Sequence, residues 1–192
     1  MAYKHRDKVA NLNYSTDAKA YIATQIELDK ALESLINKLT EKGILDKTVI
    51  VLHADHYPYK LSLNDMNSLS TYERDNVVEI NHNSLIIWNP NIERKEIDKV
   101  CMSIDVIPTI YNLFGIEYDS RLLMGTDILS DSDSLIIFSD RSWITDKGRY
   151  NAVSKKFTSF GDSVSNEYIE KINAIVLDNE LKNTMSEKKD LN

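Results

Sequence analysis

The sequence predicts an α/β fold: a partial three-layer sandwich with a mostly parallel sheet, followed by a small antiparallel C-terminal subdomain. Three observations predict it. A long amphipathic pattern over residues 16–42 leads through a short turn into Thr48-Val49-Ile50-Val51-Leu52, a continuous apolar run of the kind buried on both faces of a parallel sheet. A second apolar run, Asn83-Ser84-Leu85-Ile86-Ile87-Trp88, precedes a second helical pattern over residues 103–114. Near the end, strand patterns flank Asp146-Lys147-Gly148, a hairpin signal.

Residues 1–15 carry no clear period and read as an unpatterned end. Thr16 or Ser15 can cap the first long helix, with Asp17 in its first turn. Tyr21, Leu28, Leu32, Leu35 and Leu39 fall near one face, and Gly43 supplies the stop. Residues 61–79 read as a polar loop with helical character around 64–72. Pro90 punctuates the turn after the second strand. Ser103 caps the next helix, Pro108 should bend it early, and Gly115 ends it. Leu135-Ile136-Ile137-Phe138 is a third strand, residues 142–145 and 149–160 form the hairpin, and residues 164–181 form a final helix. The expected organisation is an end at 1–15, a main domain at 16–134, a small subdomain at 135–184 and a frayed tail at 185–192.

Composition narrows the function. The 192 residues hold 23 Lys and Arg against 30 Asp and Glu, a formal charge of −7, so a broad nucleic-acid-binding face is not expected. The single cysteine, Cys101, excludes an intrachain disulfide. There is no run of 18 apolar residues and no apolar leader after Met1, so a soluble acidic domain is expected. Gly-rich phosphate loops, H-E-x-x-H and G-x-S-x-G are all missing from the sequence.

The sharpest chemical feature is Asp55-His56, placed just after the first apolar strand. A carboxylate and an imidazole both bind divalent cations. Adjacent side chains point to opposite faces of a regular strand, so this pair converges only if the chain leaves β geometry there. The alternative is a loop aspartate capping an amide beside an exposed histidine. His53 reads either as a donor behind a metal ligand or as a core histidine. His82 opens the second apolar run and could approach the same edge, against substrate or metal. Tyr57 and Tyr59 flank Pro58 and could pack on a glycerol or sugar backbone. Arg141 and Trp143 are further candidates to line a groove. Two protein ligands are too few for an enclosed metal site.

The stretch Thr48-Val49-Ile50-Val51-Leu52-His53-Ala54-Asp55-His56-Tyr57 resembles the late metal-binding motif of the sulfatase and alkaline phosphatase superfamily, in its lipoteichoic acid synthase-like branch. Three other stretches are similar to that branch. They are Asp29-Lys30-Ala31-Leu32 within residues 21–39, Ile104-Asp105-Val106-Ile107-Pro108-Thr109-Ile110 followed by Gly115-Ile116, and Leu123-Met124-Gly125-Thr126-Asp127. Ala54 stands where many relatives have glycine.

The resemblance implies a metal-dependent phosphoglycerol transferase of the cell envelope, on the extracellular face of a bacterial membrane. It implies a covalent threonine phosphoenzyme and a divalent cation, manganese ahead of magnesium or zinc. It implies a phosphatidylglycerol-like lipid or polyglycerolphosphate as partner. Asp55 and His56 match the late pair of metal ligands. The family's early acidic ligand, its threonine nucleophile and a substrate histidine have no match here. The chain therefore resembles the C-terminal half of a catalytic domain, expected to need the N-terminal half and to be inactive alone. Two alternatives stay open: a phosphodiester or sulfate ester hydrolase of the same superfamily, and a non-catalytic scaffold or binding module.

Overall fold

The computed structural model describes residues 2–75 and 77–189, with side chains described over residues 4–75 and 77–178. The chain is α/β, and its contacts gather into two units, Met1–Lys95 and Glu96–Asn192.

In the first unit, a 3-10 turn at Ala2–His5 runs into α1, Arg6–Val9. This opening was expected to be without regular structure. Instead His5 and Val9 are buried, and the Glu27 carboxylate meets both the His5 ring and the Lys4 ammonium. Two short turns leave too few residues for any sequence period to show. The long helix α2 spans Thr16–Glu41. Ser15 is its cap, accepting from the Ala18 amide at 3.0 Å. Its far end closes with Gly43 at φ 64°: the Gly43 amide bonds to Thr40 O and the Ile44 amide to Leu39 O. That pair of bonds satisfies carbonyls the helix leaves unpaired, and glycine takes the left-handed position without a Cβ clash.

Strand β1, Ile50–Leu52, pairs with β2, Ile86–Trp88. The register is Ile50↔Trp88, Val51↔Ile87 and Leu52↔Ile86, and it is antiparallel. The sequence reading expected a mostly parallel sheet. A run of consecutive apolar residues encodes burial but not direction. A parallel return needs a crossover, usually a packed helix. Among the described residues, the segment between these strands holds only one α-helix, the six-residue α3 at Leu63–Ser68, and a 3-10 turn at Glu79–Asn81. A capping box between Ser62 and Asp65 starts α3.

The second unit opens with a 3-10 turn, Ser103–Asp105, and α4, Val106–Leu113. Pro108 lies in the first turn of α4, where its missing amide has no helical partner to lose. The buried Asp105 carboxylate accepts from the amides of Met102 and Thr126, both at 2.8 Å. Thr109 Oγ1 donates to Asp105 O and accepts from the Ile128 amide. These bonds clamp the Gly125-Thr126-Asp127 loop onto the start of α4.

Four strands follow: β3 Leu135–Ile137, β4 Trp143–Thr145, β5 Gly148–Asn151 and β6 Lys156–Ser159. They form one sheet in chain order, every pair antiparallel, as the small subdomain was expected to be. The expected long strand at 149–160 is broken by a turn with Lys155 at φ 53°. Helix α5, Asn166–Lys189, follows the sheet. Of the expected tail, residues 190–192 lie outside the described residues. With one two-stranded and one four-stranded antiparallel sheet, a parallel three-layer arrangement is not seen among the described residues.

Trp143 is the centre of the small sheet's core. It is 0% exposed, its indole N–H donates to Asn173 Oδ1 at 2.8 Å, and its ring meets Tyr150, Phe157 and Tyr168. This corrects its reading as a groove residue: an alternating strand turns it inward, and no surface is left to offer a ligand.

Candidate metal centre

Strand β1 ends at Leu52, and the chain then leaves β geometry, with a bend at Asp55 and His56. That departure lets two adjacent side chains converge. Asp55 Oδ1 and His56 Nε2 lie 3.6 Å apart. This is too long for a hydrogen bond. It is close to the ~3.0–3.5 Å expected between neighbouring donors that share one cation at ~2.1 Å each. Both side chains face water, Asp55 at 85% and His56 at 45% exposure.

The histidine is oriented from two sides. His56 Nδ1 donates to the Tyr57 carbonyl at 2.6 Å. A carbonyl only accepts, so Nδ1 carries a proton, and in the neutral imidazole Nε2 is then the nitrogen with the free lone pair facing Asp55. This is the arrangement by which metal-binding imidazoles are commonly held. The Tyr59 ring stacks on His56 with centroids 4.1 Å apart and planes within 8°. Tyr57 meets Tyr59 edge-on at 4.8 Å. A carboxylate oxygen and an imidazole nitrogen are the donor chemistry a hard or borderline divalent cation takes. Among the described residues no cluster of three or more His, Cys, Asp or Glu comes together.

The other expected residues lie elsewhere. His53 is exposed and bonds its neighbour's carbonyl, Ala54 O, at 3.1 Å, so it is not a core histidine. His82 belongs to a separate group. Its Nδ1 is 3.2 Å from Glu79 Oε2, and its ring lies 5.1 Å from that of Tyr72. Arg74 Nη1 donates to the carbonyls of Glu79 and His82 and lies over the Tyr72 ring. Arg74 was missed in the sequence because an isolated arginine in a polar loop carries no pattern. Arg141 is exposed in the β3–β4 turn at φ 70°, with its amide on Phe138 O. Cys101 is a half-buried thiol, its pKa pushed up by burial and then by the Asp105 charge.

The Sulfatase family profile matches residues 2–116 of this chain, which include β1, the Asp55-His56 bend and α4. The chain belongs to the sulfatase family. Within it, the similarity is to the lipoteichoic acid synthase-like branch. Lipoteichoic acid synthase of Staphylococcus saprophyticus is 34% identical over 137 residues, covering 68% of this chain and 21% of the relative. Lipoteichoic acid synthase of Staphylococcus aureus strain USA300 is 31% identical over 136 residues, again 68% of this chain and 21% of the relative. This sulfatase-family chain thus spans about a fifth of the length of the curated relatives it matches. Among the described residues, none of its helices is long and apolar enough to cross a membrane.

Proposed function

We propose that this chain is the late part of a metal-dependent phosphoglycerol transferase of the cell envelope, and that Asp55 and His56 are two of its metal ligands. The observation that carries the reading is the pairing of Asp55 Oδ1 and His56 Nε2 at 3.6 Å just beyond β1. The similarity to lipoteichoic acid synthases supports the substrate class, a phosphatidylglycerol-like lipid or a polyglycerolphosphate chain.

In this reading the ion is manganese, and when bound it supplies positive charge to the phosphoryl oxygens and lowers the pKa of the attacking hydroxyl. Asp55 would contribute a carboxylate oxygen, a donor that suits a hard divalent cation. His56 contributes Nε2, held toward the cation by the bond from Nδ1 to Tyr57 O. Tyr57 and Tyr59 give the mouth of the site an apolar edge that suits a glycerol backbone. The remaining ligands, the attacking threonine and the membrane attachment at the outer face belong to polypeptide beyond these residues. Exposed apolar residues on α2, Leu28 at 52% and Leu35 at 43%, fit a helix that packs on further chain.

The test is transfer of labelled glycerol phosphate, with manganese, by the complete protein that contains these residues. Asp55→Ala and His56→Ala each remove most transfer. His53→Ala costs less, and Arg141→Ala least. The 192 residues alone turn over neither phosphatidylglycerol nor a chromogenic phosphodiester. Full activity of the complete Asp55→Ala protein contradicts the assignment. Product that is free glycerol phosphate, with no polymer formed, moves the reading to the hydrolase alternative.

A further inference from the structure

We infer that Tyr59 is a positioning residue for His56: its stacked ring fixes the imidazole plane so that Nδ1 stays on the Tyr57 carbonyl and Nε2 alone faces Asp55. The inference rests on reading Asp55 and His56 as a cation pair, and it assigns Tyr59 a part that no contact with substrate is needed to explain.

Three geometrical facts point the same way. First, His56 is half exposed, so the protein body covers only part of its ring. Second, the planes of His56 and Tyr59 lie within 8° at 4.1 Å, a face-to-face contact that resists rotation about the imidazole's χ2. Third, Tyr57 packs edge-on against Tyr59 at 4.8 Å while its own carbonyl takes the Nδ1 proton. The Tyr57-Pro58-Tyr59 segment therefore grips one imidazole through its plane and through one edge. Pro58 fixes φ between the two tyrosines, and its carbonyl accepts from the Leu61 amide at 2.9 Å, which closes the turn that returns Tyr59 over the ring.

The chemical consequence concerns the tautomer. A free imidazole in water favours the Nε2–H form, which cannot ligate through Nε2. Holding Nδ1 against a carbonyl selects the other form and leaves the lone pair where a cation beside Asp55 needs it. Removing the stack frees the ring to turn, lengthens the bond to Tyr57 O and lets the Nε2–H form return. The phenol hydroxyl plays no part in this, so Tyr59→Phe keeps the effect and Tyr59→Leu loses it.

The experiment is long-range proton–nitrogen correlation at the His56 ring in the full 192-residue chain, at a pH where the imidazole is neutral. The wild-type chain and Tyr59→Phe show a protonated Nδ1 and an unprotonated Nε2. Tyr59→Leu shows the two forms mixed, with the backbone spectrum elsewhere unchanged because Tyr59 is 64% exposed. A second readout is the manganese concentration that half-broadens the Asp55 amide signal. It rises about 10-fold in Tyr59→Leu and not in Tyr59→Phe, the usual cost of losing a group that orients a ligand. An unchanged tautomer in Tyr59→Leu overturns the inference, even if manganese broadening still depends on His56. A shifted tautomer in a chain whose signals manganese never broadens upholds the positioning role and contradicts the metal assignment instead.

Discussion

Asn89 stitches the exit of β2 to the entry of β1: its side-chain amide donates to Thr48 O at 2.9 Å and to Asp46 O at 3.1 Å. Asn89 is 8% exposed, so its side-chain amide is buried where it makes both bonds. The pairing Ile50↔Trp88 follows directly, and with it the position at which β1 stops and Asp55 begins to turn. Asn89→Leu removes both donors and leaves two carbonyls short of partners. It should destabilise the first unit by about 1–3 kcal/mol. Urea unfolding followed by near-ultraviolet dichroism measures this, and an unchanged midpoint would show that water replaces the amide at no cost.

Gly125 tests the clamp on α4. A Cβ built there meets the Ile104 carbonyl oxygen at 2.1 Å and the Asp105 amide nitrogen at 2.8 Å. Both are backbone atoms with little freedom to move. Gly125→Ala should therefore cost about 1–3 kcal/mol, although alanine is the smallest possible change. The expected signature is a lower thermal midpoint together with faster exchange of the Thr126 amide, which Asp105 otherwise accepts.

Glu27 gives the fold an acid-sensitive contact. Its carboxyl is held below its ordinary value of 4.5, first by the hydrogen bond from Lys4 and then by that from His5. A depressed folded-state pKa contributes stability that is present above the unfolded value and lost as pH falls through the folded one. The attachment of the Ala2–His5 turn to α2 should thus hold at neutral pH and loosen on acidification from about pH 4.5 downward. Limited proteolysis near residues 2–9, run from pH 6 to pH 3, reads it. Glu27→Gln should show at pH 6 the cleavage that the wild type shows only in acid.

Much of this was legible in the sequence, for reasons that can be named. The span of α2 was legible because its stripe runs from Tyr21 to Leu39, about five turns, and Gly43 ends it. That the chain could leave β geometry at Asp55 was legible because a polar, aromatic segment follows the run Thr48-Val49-Ile50-Val51-Leu52. The direction of β1 relative to β2 was not, since pairing direction depends on the connection and not on composition. The inward turn of Trp143 was hidden because β4 is only three residues long, too short to display its alternation. The grip of Tyr59 on His56 was invisible for a different reason: it depends on a turn geometry, and Tyr-Pro-Tyr states the residues without the angle between the rings.

The central claim is that Asp55 and His56 share a cation, and titration of the 192-residue chain with MnCl₂ tests it most directly. A paramagnetic ion broadens nearby amide signals even when it binds weakly, which suits a site with two protein ligands and water for the remainder. The account predicts selective loss of the Asp55, His56 and Tyr57 signals at millimolar or sub-millimolar manganese, abolished by Asp55→Ala and by His56→Ala separately. Broadening centred on other carboxylates, or unchanged in both variants, would contradict it.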